Sequence, residues 1–297
     1  MLRAPGAPAG GTRDMDQTTR SAIVTGASSG IGEATAESLA KAGYRVALAA
    51  RSAEALETVA KRIEAAGGQA IVIPTDVADE AAVAALAART WEAFGRVDLV
   101  VNNAGFSLAA ALEQLTRDEI RNTFEVNLFG ALQLIGEVTP MMREQGGGRV
   151  INISSIAGTV PAPLAVPYSA SKGALESATD CLRLELARWN IQLSIVIPGF
   201  VQTPVFDKAK EWGEHLRTDE TNPYRQTMLD LEKFAYDELE SAITPHEVGE
   251  VVVAAATARR PRPRYYVPFS AHMQSSIMGS MPSRLRDRIL SRVYKLV

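Results

Sequence analysis

Residues 21–42 read SAIVTGASSGIGEATAESLAKA. Five residues of strand character run into a turn carrying Gly26, Gly30 and Gly32, and the turn runs into a helical pattern. Glycine tolerates positive φ and lets backbone N–H groups approach a pyrophosphate, and the N-terminus of the next helix adds a partial positive charge. Ser28, Ser29 and Ile31 fill the same turn. The spacing is G-x3-G-x-G rather than the G-x-G-x-x-G of the general dinucleotide fingerprint, so the glycines alone also fit any tight strand-to-helix turn. Their place directly after the first strand of an alternating pattern favours a nucleotide site.

That alternation continues outward. Short apolar runs at 21–25, 45–49, 70–73, 97–101, 149–154, 191–197 and 264–267 read as strands. Helical patterns fall at 30–42, 53–66, 79–94, 116–143, 167–189 and 245–258. Repeated strand–helix units with right-handed crossovers predict an α/β chain: a single doubly wound Rossmann domain over 21–270 with a seven-stranded parallel sheet. Its ligand crevice is expected beyond the carboxyl ends of the strands. The stretch 203–240, with FDKAKEWGEHLR and RQTMLDLEKFAYDELE, breaks the alternation and is expected to form a helical flap over that crevice. Residues 1–20 read as a flexible leader without the apolar centre of a signal peptide, and 271–297 as an amphipathic C-terminal extension.

Composition narrows the field. With 46% hydrophobic residues in 297, the chain can build one large core. A net charge of -3 gives no basic excess to attract nucleic acid. Cys181 is the sole cysteine, so no internal disulfide forms; it suits a reducing cytoplasm and, in an apolar-periodic stretch, reads as a buried thiol. His215, His246 and His272 are scattered without ligand spacing, so no metal site is expected. No run of eighteen apolar residues suggests a membrane-spanning helix.

The ends of successive strands carry the remaining nucleotide signals. The second strand ends in Ala49-Ala50-Arg51-Ser52, with no carboxylate to bind the ribose 2′-hydroxyl of NAD. A guanidinium at Arg51, with hydroxyls at Ser28 and Ser52, suits a 2′-phosphate, so NADP(H) is favoured and NAD(H) is the lesser expectation. A merely solvated Arg51 would make that selectivity weak. Asp76-Val77 follows the third strand, and Asn103, Ala104 and Gly105 follow the fourth, where a carboxylate can accept from adenine and small residues allow close ring approach.

The fifth strand delivers Ser155, and Tyr168 and Lys172 follow at the start of a helix. Residues four apart share a helix face, which sets the lysine beside the tyrosine. A phenol of pKa ~10 needs roughly 4 kcal/mol of phenolate stabilisation to work near neutrality, and a neighbouring ammonium acts in that direction. Ser155 would then bind a carbonyl oxygen while Tyr168 moves the proton. By itself a Y-x-x-x-K pair arises in many helices by chance.

Taken together, TGASSGIG at 25–32, NNAG at 102–105, Asn127 in FEVNLFG, Ser155 in NISS, Tyr168 with Lys172, and Pro198-Gly199 with Val201 and Thr203 in PGFVQTP resemble the short-chain dehydrogenase/reductase family over about residues 20–205. The resemblance implies a catalytic tetrad of Asn127, Ser155, Tyr168 and Lys172. Asn127 would bend its helix and help hold a water that links Lys172 to solvent. Val201 and Thr203 would contact the nicotinamide carboxamide and the phosphates. It also implies a homodimer or homotetramer built through the helices that carry Asn127 and Tyr168.

Phe106, Ile156, Leu164, Val205 and Phe206, with Ser155, are expected to form an apolar substrate wall, which points to a small hydrophobic alcohol or ketone. Acyl-carrier ketoreductases are a rival, although the RRPRPRYYVPFSAHM stretch replaces their usual aspartate-glycine-glycine ending and looks closer to hydroxysteroid or retinol dehydrogenase-like members. A sugar-nucleotide epimerase also uses Y-x-x-x-K, but its glycine loop usually has a different spacing. A non-catalytic NADP(H)-binding regulator would keep the glycine turn and need none of the tetrad, all of which is present. From Arg259 to Val297 basic residues far outnumber the one acid, Asp287, and Leu285, Ile289, Val293 and Leu296 recur at helical spacing. That face is expected to pack on the body or on a neighbouring subunit, with peripheral contact to an anionic membrane as the second choice.

Overall fold

The computed structural model describes residues 19–296, so the expected leader lies outside the described residues except for Thr19 and Arg20. Seven strands form one parallel sheet: β1 (Ser21–Thr25), β2 (Arg45–Ala50), β3 (Gln69–Pro74), β4 (Leu99–Asn102), β5 (Gly148–Ile153), β6 (Ile191–Pro198) and β7 (Arg264–Val267), in the order β3-β2-β1-β4-β5-β6-β7. The order reverses direction at β1 and β4, which is the switch point of a doubly wound sheet.

Helices cover both faces. The chain forms α1 (Gly30–Lys41), α2 (Ala53–Ala65), α3 (Glu80–Phe94), α4 (Arg117–Phe124), α5 (Gly130–Glu144) and α6 (Val166–Leu186). It continues through α7 (Val205–Trp212), α8 (Glu214–Thr218), α9 (Arg225–Glu240), α10 (Pro245–Thr257), α11 (Phe269–Ser280) and α12 (Ser283–Val293). Strands buried on two faces need apolar residues on both, which is why β1 reads as a continuous run. Ala22 and Val24 join a core with Leu39 of α1, Leu56 of α2 and Val252 of α10, while Ile23 faces Leu86 of α3 and Val138 of α5. Truncating a fully buried member such as Leu86 to alanine costs about 2–5 kcal/mol.

Three expectations shift. The fourth strand, expected over 97–101, runs Leu99–Asn102, because the Gln145 side chain takes both backbone groups of Val97, accepting at 3.1 Å and donating at 2.7 Å. The helix expected over 116–143 is divided: between α4 and α5 lies a π-helical turn, Glu125–Phe129, with Asn127 buried inside it. Cys181 is exposed rather than buried. It borders a groove with Ile135 and Pro140 of α5, while the apolar residues at helical spacing around it, Leu175 and Leu186, turn into the cores.

The stretch 203–240 folds as α7, α8 and α9. Glu232 of α9 ties the three together, binding Lys210 of α7 at 2.6 Å and Arg217 of α8 at 2.8 Å. After β7 the chain returns over the same side as α11 and α12.

Candidate active site

Six adjacent strands end on one rim, and the loops that follow them carry the residues singled out above. The turn after β1 places Gly26 at φ +65° and Gly30 at φ +58°, conformations that favour glycine. At Gly32 a Cβ would collide with the Gly26 carbonyl and the Asn103 amide. Ser29 heads α1, yet its hydroxyl makes no cap bond, which leaves first-turn N–H groups of α1 directed at the rim. These features fit a dinucleotide pyrophosphate. Thr203, from the loop after β6, closes the cradle opposite Gly30.

Thr25 organises this turn, a role the sequence reading missed. Its hydroxyl oxygen accepts from Asn103 N at 3.0 Å and Ala104 N at 3.1 Å, while Asn103 Nδ2 donates to the Thr25 carbonyl at 2.9 Å. The Asn103 amide is therefore spent on the backbone of the glycine turn and is a brace rather than a free donor for a ligand. Ser52 accepts from Ala55 N at 3.3 Å as the cap of α2, which leaves its hydroxyl proton to donate, and Arg51 beside it is exposed. Asp76 is exposed with its carboxylate turned to Ala78 N, and the Val77 carbonyl presses on Gly130 at the start of α5.

Farther along the rim, Asn127 accepts from Phe106 N and donates to Phe106 O, each at 3.0 Å, and donates to Ser171 Oγ at 3.1 Å. The π-turn thus grips both the strand-end Gly105–Phe106 and α6. Asn127 Oδ1 and Lys172 Nζ converge over Gly105, where a Cβ would lie 3.1 and 3.4 Å from them. Lys172 is buried and donates to the Ile153 carbonyl at 2.8 Å. Burial lowers its pKa to about 8, with the Glu176 carboxylate acting in the opposite sense.

Tyr168 lies one turn back on α6, with Lys172 Nζ 5.9 Å from its ring centroid. Burial raises the phenol above its ordinary value, and a hydrogen bond with Ser155 opposes the rise. The ammonium is itself anchored on the Ile153 carbonyl, beside the Tyr168 ring. Ser155 heads the turn Ile156–Gly158, its oxygen accepting from Ala157 N at 3.2 Å, which leaves its hydroxyl proton for the Tyr168 oxygen or, in exchange, for a ligand.

Ser155 and Tyr168 line a cavity of about 520 Å³ with mostly apolar walls. Ile156, Leu164, Val205 and Phe206 stand in those walls as expected. Leu164 holds φ +58°, unusual for a branched side chain, with its carbonyl secured by Ala110 N at 2.9 Å. Phe106 departs from expectation: it packs with Leu108, Leu115 and Trp212 in a satellite cluster, and Ser107 and Leu108 face the cavity in its place. The sequence reading also missed an aromatic chain. Phe200 stacks on Phe206 at 5.6 Å and meets Phe234 edge-on at 6.0 Å, and Phe234 meets Tyr294 at 5.5 Å. Tyr294, just past α12, shows that the last helices wall the cavity.

Residues 20–214 match the short chain dehydrogenase family model. The chain belongs to the short-chain dehydrogenase family. An uncharacterized oxidoreductase of Mycobacterium bovis is 41% identical over 280 residues, covering 92% of this chain and 73% of the relative. Among solved structures, a short-chain dehydrogenase/reductase from Burkholderia phymatum in complex with NAD superposes with a TM-score of 0.77 at 28% identity, over 90% of this chain and 94% of that one. A variant of actinorhodin polyketide ketoreductase with NADPH gives 0.71 at 33% identity, over 84% and 96%. As a family member the protein is an oxidoreductase of CH–OH and keto groups, and its structural relatives include both NAD and NADP complexes.

Proposed function

We propose that this dehydrogenase uses NADP(H) to interconvert a hydrophobic alcohol and its ketone, with Tyr168 as the proton-transfer group. The observation that carries the reading is the shared placement of the Ser155 and Tyr168 hydroxyls on one mostly apolar cavity. Arg51, exposed at the end of β2 where no carboxylate stands, favours the 2′-phosphate. The bound nicotinamide supplies hydride to the carbonyl carbon or takes it from the carbinol.

In reduction, Ser155 donates a hydrogen bond to the substrate oxygen and Tyr168 gives its proton to the developing alkoxide. The Lys172 ammonium, held by Ile153 and faced by Glu176, offsets part of the desolvation cost of the resulting phenolate. Asn127 holds Phe106 and Ser171 in register with that pair and is a positioning residue. Val201, buried and bridged to Ile243, and Thr203 over Gly30 would shape the nicotinamide and phosphate sites together with Pro198 and Gly199.

The uncovered face of α5 and α6, with Cys181 and the exposed Leu184, suits pairing with a second copy as a dimer or tetramer. The unpaired thiol suits a reducing, cytoplasmic setting. A second reading, reduction of a thioester-linked ketoacyl chain, draws on the similarity to the polyketide ketoreductase. Absorbance of the reduced nicotinamide, followed with a panel of hydrophobic ketones, alcohols and acetoacetyl thioesters against both cofactors, separates the two. Turnover confined to thioesters would replace the first reading, and no turnover of any of them would remove both.

A further inference from the structure

The last two helices present unlike faces to the cavity and to solvent. Gln274 and Met278 of α11 and Leu290 and Val293 of α12 line the cavity. The outer row of α11 is Phe269, Met273 and Ile277, which recur every four residues and are 73%, 51% and 51% exposed. None of the twelve residues of α11 is Asp, Glu, Lys or Arg. On α12 the expected apolar face is split: Val293 turns to the cavity and Ile289 is half-buried, while Leu285 is 47% exposed, and Leu296 lies beyond the helix at 42%.

Among the described residues, six of the eleven exposed large hydrophobic side chains fall in 269–296. Scatter over the surface is ordinary, but this concentration marks an interaction surface. Its charge says what it meets. Arg284, Arg288 and Arg292 form a second four-residue row on α12, all exposed, and Lys295 follows. Asp287 is the one acid of this stretch, and Arg286 pairs with it. On α12 exposed Leu285 lies between Arg284 and, one turn on, Arg288. An uncharged apolar row on the preceding helix with a basic row on the last matches the boundary between acyl chains and anionic headgroups, into which long basic side chains can reach while their stems stay apolar. Among the described residues no helix is long and apolar enough to cross a membrane, so the contact is peripheral.

We infer that the outer faces of α11 and α12 dock on an anionic phospholipid bilayer. Phe269, Met273 and Ile277 enter the interface, and Arg284, Arg288, Arg292 and Lys295 bind lipid phosphates and carboxylates. The same two helices wall the cavity from within, so a substrate dissolved in the bilayer lies one helix layer from the reaction site. Only that consequence rests on the hydrophobic-substrate reading; the docking stands without it.

The test is sedimentation of the full chain with vesicles of phosphatidylcholine alone or mixed with phosphatidylserine. Binding to the mixed vesicles, weakened by salt, is expected. Arg288→Gln should lower partitioning roughly five-fold, with a similar further loss for Arg292→Gln. Exchange of Phe269, Met273 and Ile277 together for serine should lower it at least roughly ten-fold while NADPH binding is retained, since none of the three lines the cavity. Failure of the unaltered protein to bind the mixed vesicles overturns the inference, as does binding that the serine variant leaves unchanged. A serine variant that alters only the oligomeric state assigns the patch to a second copy of the chain and overturns it too. Vesicle binding is read without turnover, so it fails or succeeds apart from the redox reading.

Discussion

The Ser154 hydroxyl donates to Glu176 Oε1 across 2.7 Å, in a buried site. The residue before Ser155 is thereby fastened to α6 one turn beyond Lys172. The same carboxylate oxygen would stand 2.9 Å from a Cβ at Gly158, which closes the Ser155 turn, and Arg264 of β7 approaches the other oxygen at 3.7 Å. Burial raises the Glu176 pKa, with the Ser154 bond opposing.

Glu176→Ala should therefore lower stability by about 1–3 kcal/mol, through the unpaired Ser154 hydroxyl and the lost brace, as read by urea unfolding. Glu176→Gln keeps an acceptor for Ser154 but removes the charge that supports the Lys172 ammonium. Its pH–rate profile should move to lower pH in the limb set by Lys172, with stability largely kept. An unmoved profile would leave Glu176 a purely structural group.

Lys172 has a second signature, in stability. Its folded pKa of about 8 lies below the ordinary lysine value, so between pH 8 and 10 the unfolded chain holds a proton that the folded chain has released. Stability from this group rises with pH across that window and is absent below it. Tyr168, raised by burial, titrates above the window. Urea unfolding at pH 8 and 9.5 should show the unaltered protein gaining about 1–2 kcal/mol relative to Lys172→Met. Equal changes in both proteins would contradict the depressed lysine.

Tyr168→Phe removes the hydroxyl and keeps the ring. Turnover with a good ketone should fall about 10²–10⁴-fold while NADPH binding, followed by fluorescence, changes little. Activity within a few-fold of the unaltered protein would take proton transfer away from Tyr168.

Arg51→Asp tests the cofactor assignment. A lost charge-assisted bond of about 1.5–3 kcal/mol corresponds to a fall of roughly ten- to a hundred-fold in NADPH affinity, with NADH gaining from the new carboxylate. An NADPH affinity that stays the same would mark Arg51 as a solvated charge.

Gly32→Ala should disrupt the site without removing any polar group. The new methyl meets the Gly26 carbonyl and the Asn103 amide, so the turn must open. A loss of stability of about 1–3 kcal/mol together with weak NADPH binding is expected, and normal binding would show that the turn yields easily.

The sheet was legible in the chain because each buried strand is a continuous apolar run bounded by a turn, and register follows from parallel pairing of β1 with β2 and β4. Asn127 was legible only through family resemblance, since an asparagine inside a helical pattern carries no sign that the helix widens into a π-turn there. Thr25 was passed over because its hydroxyl works on backbone groups 78 and 79 residues away, a contact that no local pattern encodes. Cys181 was misread because it stands at the edge of an apolar helix face whose centre, at Leu175 and Leu186, is buried, and periodicity does not mark where that face ends. Tyr294 escaped for the related reason that Phe234, its ring partner, sits on a different helix far back in the chain.

The cavity takes its walls from residues as early as Ile31 and as late as Tyr294. By contrast, the turn braced by Thr25 and Asn103 needs nothing beyond Ala104 for its own hydrogen bonds. During synthesis at about 5–20 residues per second, the partners of the braced turn are therefore all present on the order of ten seconds before Tyr294 can close the cavity. Until α11 and α12 emerge, the apolar walls around Leu164 and Phe206 lack their last cover, and it is in that interval that the growing chain offers chaperones an apolar surface.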